Sequence, residues 1–343
     1  MSDDLDPITP EAGLSYYLDA RRYDVRPTTL QSHRARLQSF IDWLDSQGIH
    51  NMNDVDLRTV HAYQVYKRED NGENEPCNAV TMQGQISTLR RFLDHLSDID
   101  AVPESLSERI RLPKIEPGED VDEEFLDSGR AKAILEYMNR FEYATPHHVA
   151  ILLFWRTSAR RGDLHALDLK DFDKDENALS FVHRPETETR LKNGYKGERD
   201  VSIQPDVARV IEDYIRANRH SVQDDHGRFP LFTTTLGRAS LGTIQQWAYR
   251  WTRPCVIGEG CPHDRDPSTC ENADISQASG CPSSMGPHAI RKGSITAFRD
   301  AGTPREVVSE RGDVSEEVLE KHYDKANARD RMRRRREFIP EEI

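Results

Sequence analysis

The sequence lacks any run of about 18 consecutive apolar residues, the minimum for a helix that crosses a membrane. It also lacks the basic and then apolar start of a secretory signal, because its first residues, MSDDLDPITPEAG, are acidic and polar. No internal repeat is visible along the chain. We therefore expect a soluble, cytoplasmic protein with no membrane partner.

An excess of basic charge is also missing. The chain has 47 Lys and Arg residues against 60 Asp and Glu residues, a formal net charge of -13, which argues at first against a nucleic-acid partner. The charge is unevenly distributed, however, because acidic residues crowd positions 119–124 whereas positions 329–336 read RDRMRRRR. Such a basic C-terminal tail can bind phosphate, dock on a second copy of the chain, or remain a solvated end. Strong net negative charge suits a high-salt cytoplasm, so we expect a halophilic host.

The length of 343 residues indicates two domains. Apolar residues recur at helical spacing in 28–44 and 80–96, and residues 54–67 predict a third helix between them. Residues 103–127 combine prolines with an acidic run, which is typical of a linker. We place the boundary at residue 115, which gives a helical domain 1–115 and a second domain 116–343.

The second domain is predicted to be mostly helical with one hairpin. Short strands at 179–182 and 200–203 flank a turn-rich tip. The expected fold class is therefore mainly α with a small antiparallel β-sheet. Helical spacing or helix-start signals occur at 128–140, 147–158, 161–167, 205–217, 241–252, 288–301, 304–310 and 315–323.

Three residues of this domain are suited to binding a phosphate. Arg160 lies at a sharp turn after an apolar helix, in TSARRGDL. His288 and Arg291, in PHAIRKG, are three positions apart and so project from one face of a helix, where both can reach one phosphate. Taken singly, neither feature requires a phosphate site. Arg160 can be an ordinary surface arginine at a helix end, and the spacing of His288 and Arg291 can arise by chance.

A lysine and a tyrosine complete the set. Lys192 opens the hairpin tip and Lys196 precedes its second strand, while Tyr323 lies 32 residues after Arg291. By themselves the two lysines indicate only a solvated turn, and the tyrosine indicates only a side chain packed at the edge of a core. In this order, however, the residues resemble the tyrosine recombinase (phage integrase) family, and the acidic chain is similar to a haloarchaeal-type integrase.

The resemblance covers roughly residues 127–323. It implies that 1–115 is a helical, SAM-like core-binding domain and that 116–343 is a tyrosine recombinase catalytic domain. The implied function is site-specific DNA recombination and integration, through a 3'-phosphotyrosine intermediate, by a homotetramer on double-stranded DNA and without a cofactor for catalysis. The catalytic residues carried over are Arg160 and Arg291 on the phosphate, and Lys192 (preferred to Lys196) as general acid. His288 is the partner of Arg291 and assists proton transfer around the attacking phenol, and Tyr323 is the nucleophile.

Elementary chemistry agrees with these roles. A phenol has a pKa of about 10, so attack on a phosphodiester requires a base or a positive field that stabilises phenolate. Two guanidinium groups supply that field and bind the non-bridging oxygens of the phosphate in the transition state. A covalent phosphotyrosine conserves the energy of the broken bond, so rejoining needs no ATP.

The sequence departs from the family at Gly312-Asp313, where a glycine is usually followed by His or Trp. An ionised carboxylate cannot donate a hydrogen bond to the phosphate. Either Arg311 or His322 substitutes, or activity is reduced. The alternative function is therefore a catalytically inactive DNA-binding protein of the same fold, with an architectural or regulatory role.

The remaining feature is a cysteine-rich insertion at 253–283, which has no apolar periodicity. Four soft ligands around one metal ion would fold such a segment, so we expect a structural Zn²⁺. Reduced cysteines that simply pack together are the alternative. A zinc-ribbon transcription regulator would also explain the cysteines but would leave the Arg/His/Tyr series to coincidence. A type IB topoisomerase would share the phosphotyrosine chemistry, but the small size and the integrase-like layout of the chain argue against it. The candidate ligands are Cys255, Cys261, His263, Cys270 and Cys281.

Overall fold

The computed structural model describes residues 5–69, 76–116 and 124–323. The chain divides into two compact units, Met1–Asp122 and Glu123–Ile343. The boundary expected at residue 115 stays a prediction, since residues 117–123 lie outside the described part of the chain, as does the basic tail at 329–336. No helix within the described ranges is long and apolar enough to cross a membrane.

The first unit is helical, as predicted. Two of its long helices begin after a side chain that accepts a backbone N–H of the first turn, Thr9 in one case and Asn78 in the other. Apolar side chains from all five helices, among them Tyr17, Leu44 and Phe92, form one buried core. The helices are α1 (Pro10–Arg21), α2 (Pro27–Ser46), α3 (Leu57–Tyr66), α4 (Ala79–Ser97) and the short α5 (Leu106–Arg109).

The second unit has its own core around an apolar helix at its centre. Val149, Ala150 and Ile151 of that helix are successive residues that point in different directions, and all three are buried, which is expected of a helix surrounded by others. The helices are α6 (Ser128–Phe141), α7 (Pro146–Thr157), α8 (Arg161–Ala166), α9 (Pro205–Ala217), α10 (Leu241–Trp251), α11 (Pro287–Asp300), α12 (Arg305–Gly312) and α13 (Glu316–Tyr323).

A three-stranded antiparallel sheet and a two-stranded hairpin complete this unit, so the predicted fold class is confirmed. In the larger sheet Leu179 pairs with Val201, and both side chains face the core. The long connection between these two strands contains 3₁₀ turns at Pro185–Thr187 and Gly194–Gly197. The strands are β1 (Phe172–Asp173), β2 (Ala178–Phe181), β3 (Arg199–Ser202), β4 (Thr233–Thr234) and β5 (Gly237–Arg238).

A close backbone contact fixes the position of α11. The Leu126 N–H donates to the carbonyl of Ala289 at 3.1 Å. A Cβ added at Gly293 would lie 1.8 Å from the Leu126 carbonyl oxygen, so only glycine leaves room for the chain to cross here. The start of the second unit therefore packs directly on the helix that carries His288 and Arg291.

Candidate active site

Arg160 lies at the turn between α7 and α8, as the sequence indicated. Ser158 ends α7 in the left-handed region (φ 53°), which reverses the chain sharply. The backbone N–H of Arg160 donates to the Asp163 carboxylate at 2.9 Å, which caps the first turn of α8. The Arg160 backbone is therefore fixed from both sides.

Asp163 also ties this turn to the sheet. Its carboxylate, which is buried, accepts a hydrogen bond from the Arg199 guanidinium of β3 at 2.8 Å. That guanidinium lies 4.3 Å from the centre of the Phe181 ring and donates to the Arg311 carbonyl of α12 at 3.0 Å. One buried Asp–Arg pair thus holds α8, β3 and α12 in a fixed relation.

Arg291 reaches the same turn from α11. It is 4% exposed, and its guanidinium donates to the backbone carbonyl of Ser158. The Ser158 hydroxyl lies 2.7 Å from the hydroxyl of Ser294, one helical turn further along α11. His288, one turn before Arg291, is exposed on the surface of the helix. The structure therefore brings Arg160 and Arg291, which are 131 positions apart in the sequence, to one turn.

The loop after α12 joins these two arginines. Arg160 donates from Nη1 to the Asp313 carboxylate and from Nη2 to the Asp313 backbone carbonyl. A Cβ placed on Gly312 would lie 3.8 Å from Nη1 of Arg291. The Gly312-Asp313 pair that departs from the family pattern therefore lies between the two guanidinium groups.

The hairpin tip reaches the same point. The side-chain amide of Asn193 donates to both carboxylate oxygens of Asp313, at 2.9 and 3.0 Å. Lys192 is the adjacent residue and is exposed, and Lys196 is exposed within the turn Gly194–Gly197. Adjacency to Asn193 favours Lys192, and the choice between the two lysines stays a prediction.

Tyr323 is the last residue of α13, and its side chain lies outside the described part of the structure, as does that of His322. The helix itself is anchored, because Val314 and Leu319 are buried together with residues of α11 and α12. The role of Tyr323 as nucleophile stays a prediction.

Arg311 does not fit the role of a substitute phosphate donor. Its guanidinium donates to the backbone carbonyls of Arg156 and Ser202 at 2.6 to 3.1 Å. It also lies 5.2 Å from the centre of the Phe298 ring, and burial lowers the pKa of the group. Arg311 therefore braces α12 against α7 and β3.

Sequence reasoning missed several residues of this site. It treated Asp313 only as a lost donor, and it did not single out Asn193 or Arg199. Asp163 had a signal, since an acidic residue three positions after a turn is typical of a helix cap. Asn193 and Arg199 had none, because their partners lie 120 and 36 positions away in the sequence.

The cysteine-rich insertion forms a separate cavity. The five predicted zinc ligands all line it, and its volume is about 20 Å³. Burial raises the pKa of the Cys255 thiol, and His263 Nε2 lies 2.8 Å from the Ser283 hydroxyl. These five residues are all described, yet within the described ranges no group of three or more His, Cys, Asp or Glu side chains is arranged to hold a metal ion. The zinc prediction is therefore not supported.

Two arginines brace the insertion. Arg253 is 3% exposed and donates to the backbone carbonyls of Asn272 and Ala273. Arg130 of α6 donates to the carbonyls of Thr252 and Ser283, at the two ends of the segment. Each bond satisfies a carbonyl of irregular backbone that would otherwise lack a partner.

Comparison with known proteins gives a consistent result for both units. Residues 15–98 match the family model described as phage integrase, N-terminal SAM-like domain. No curated protein sequence matches the chain.

Among solved structures, the Tn1549 transposon integrase in complex with a circular intermediate DNA is 15% identical, with a TM-score of 0.65, and the match covers 94% of this chain and 99% of that one. A lambda integrase tetramer bound to a Holliday junction is 14% identical, with a TM-score of 0.59, covering 90% of this chain and 78% of that one. At this identity the likeness concerns the fold. The fold implied by the sequence resemblance is confirmed.

Proposed function

Because the chain has the fold and the N-terminal domain of the tyrosine recombinases, we propose that it cleaves and rejoins DNA at specific sites through a covalent bond to Tyr323. The observation that carries the proposal is the meeting of Arg160 and Arg291 at one turn. Two guanidinium groups brought together from distant segments form a site for a doubly coordinated phosphate.

In the proposed reaction the Tyr323 oxygen attacks the scissile phosphorus, and the bond from phosphorus to the 5'-oxygen breaks. Arg160 and Arg291 neutralise the charge that builds on the non-bridging oxygens. Lys192 donates a proton to the leaving 5'-oxygen, and His288 assists removal of the phenol proton. The product is a 3'-phosphotyrosine, and a free 5'-hydroxyl reverses the step to rejoin the strand without a cofactor.

The proposed partner is double-stranded DNA, and the proposed assembly is a homotetramer that pairs two sites. Support comes from the neighbours, since the Tn1549 integrase is described in complex with DNA and the lambda integrase as a tetramer on a Holliday junction. We propose the cytoplasm as the compartment where this reaction occurs. A structural zinc ion is not part of the proposal, because the arrangement of the five candidate ligands does not support it.

One observation favours a second candidate, a DNA-binding protein without cleavage activity. Asp313 pairs with Arg160 where a hydrogen-bond donor to the phosphate would be expected. The presence of both arginines, His288 and Tyr323 favours the enzyme.

Covalent trapping separates the two candidates. The chain is incubated with duplexes of randomised sequence that carry a nick, so that the cleaved fragment diffuses away and the adduct accumulates. Denaturing electrophoresis then detects protein–DNA adducts, whose DNA is sequenced to identify the site. We expect an adduct with the wild type and none with Tyr323→Phe. Sequence-specific binding by a folded wild type that never forms an adduct would support the second candidate.

A further inference from the structure

Asp313 has no role in the proposed reaction, yet it contacts both Arg160 and the hairpin tip. Its carboxylate forms an ion pair with Arg160, with side-chain exposures of 20% for the arginine and 12% for the aspartate. Both carboxylate oxygens also accept hydrogen bonds from Asn193 at the hairpin tip. A charged group of opposite sign therefore lies on an arginine that is proposed to bind DNA.

The Arg160 contact is one that a phosphate would also make. A carboxylate oxygen of Asp313 accepts from Nη1 of Arg160, while Nη2 donates to the Asp313 backbone carbonyl, so a carboxylate oxygen and a phosphate oxygen compete for Nη1. A phosphate that binds Arg160 while the Asp313 carboxylate stays in place would bring two negative charges within a few Å of each other, at a site with little solvent. The carboxylate has to leave Nη1 of Arg160 before a phosphate can use it.

The backbone holds Asp313 in this position. It follows α12 in the left-handed region (φ 49°), a conformation that aspartate adopts more readily than most residues. A Cβ on Gly197 would lie 3.1 Å from Oδ2 of Asp313, so the hairpin leaves space for the carboxylate by having glycine at that position. The Arg160 contact to the Asp313 backbone carbonyl does not depend on the carboxylate and can persist when the side chain turns away.

We propose that the Asp313 carboxylate occupies the place of the scissile phosphate in the DNA-free protein, and that DNA must displace it from Arg160 and Asn193 to bind. This inference rests on the proposed function, since it identifies Arg160 as a phosphate ligand. Asp313 is then a positioning residue that keeps Arg160 and the hairpin aligned in the absence of DNA and lowers the affinity for sites that cannot displace it.

The first test compares DNA affinity by fluorescence anisotropy on a labelled duplex for the wild type, Asp313→Asn and Glu306→Gln. The amide of Asn is isosteric with the carboxylate and can still accept from Arg160, but it carries no charge. We expect Asp313→Asn to bind about tenfold more tightly, because a neutral amide binds the Arg160 guanidinium less strongly than a carboxylate does and is displaced from it more easily by the phosphate. Glu306 is exposed on the same α12, so Glu306→Gln makes the same change in net charge and should alter the affinity by less than about twofold.

The second test asks whether the effect passes through Arg160. In an Arg160→Ala background Asp313→Asn should leave the affinity unchanged, because the competition no longer exists. Equal affinities for Asp313→Asn and the wild type, or a gain that persists without Arg160, would overturn the inference. A lower DNA affinity of Asp313→Asn than of the wild type would also overturn the inference, because it would make the carboxylate a part of the DNA-bound site. Melting curves of each variant confirm that it is folded before its affinity is compared.

Failure of the proposed function would look different. Adduct formation by the wild type tests cleavage, whereas the affinity comparison tests displacement only. If Asp313→Asn binds more tightly but no variant forms an adduct, the displacement of Asp313 stands and the cleavage activity does not.

Discussion

The close approach at Gly293 leads to a quantitative prediction about the helix that carries Arg291. Replacing Gly293 by alanine adds one methyl group whose carbon would lie 1.8 Å from the Leu126 carbonyl oxygen and 3.0 Å from the Trp155 ring. Ordinary contact between such atoms requires roughly 3.5 Å, so Leu126 and α11 have to separate by well over 1 Å. The contact is to backbone, which cannot rotate away as a flexible side chain would.

Two effects of opposite sign decide the magnitude. Alanine is favoured over glycine in a helix by about 0.5–1 kcal/mol. Overpacking in a dense core costs about 1–3 kcal/mol and occasionally more, and a clash with backbone belongs at the upper end. We therefore expect Gly293→Ala to lower the free energy of unfolding of the second unit by about 2 kcal/mol. DNA cleavage should fall as well, since Arg291 is two residues away.

Urea denaturation followed by tryptophan fluorescence measures this change as a shift in the midpoint. The matched control is Gly242→Ala in α10, where the nearest atom to an added Cβ is the Ser240 hydroxyl at 3.6 Å, so that change should alter stability by less than about 1 kcal/mol. If Gly293→Ala and Gly242→Ala had the same free energy of unfolding, the close contact of Leu126 with α11 would not be what requires glycine at position 293.

Two further predictions concern groups outside the active site. Burial lowers the pKa of His147 from 6.5 to about 4, so the unfolded chain takes up a proton at a higher pH than the folded chain does. The free energy of unfolding should therefore fall as the pH drops from about 6.5 to about 4, by up to about 3 kcal/mol from this residue. His147→Phe should weaken the pH dependence of the melting temperature in that range without abolishing it, because burial lowers the pKa of the adjacent His148 to about 4 as well. An unchanged profile would contradict the assigned burial of His147. Arg253→Ala should leave the carbonyls of Asn272 and Ala273 unsatisfied and destabilise the insertion by about 2 kcal/mol, which limited proteolysis between residues 253 and 283 would detect. Resistance to protease equal to that of the wild type would exclude Arg253 as the brace, and the same assay with a zinc chelator shows whether a metal ion contributes.

Local patterns predicted most of the fold. The helix expected at 161–167 is α8, because an acidic residue at its third position caps it. The strands expected at 179–182 and 200–203 are each displaced by one residue, since alternation of buried side chains locates a strand better than it locates its ends. The helix expected from residue 54 begins at Leu57, because Asp56 forms a capping box with Thr59 and residues 52–54 form a 3₁₀ turn instead.

Prediction of the site was less complete, for a physical reason. The resemblance rested on the order of Arg160, a hairpin lysine, the His288/Arg291 pair and Tyr323 in the chain, and the two arginines do converge. The pairing of Arg160 with Asp313 spans 153 positions and depends on how α12 packs against β3, which no local pattern encodes. The cysteine-rich insertion is the opposite case, a site that was predicted but is not supported. The residue types and their spacing in the sequence predicted a metal site, whereas the distances between the five side chains depend on how the segment folds.

The most direct test of the central claim is to identify the residue that carries the DNA. The adduct formed with nicked DNA is digested with nuclease and protease, and the modified peptide is sequenced by mass spectrometry. The proposed mechanism predicts a nucleotide joined through its 3'-phosphate to Tyr323, and loss of the adduct in Tyr323→Phe. A 5'-linkage, a modified residue other than Tyr323, or an adduct that survives in Tyr323→Phe would contradict it.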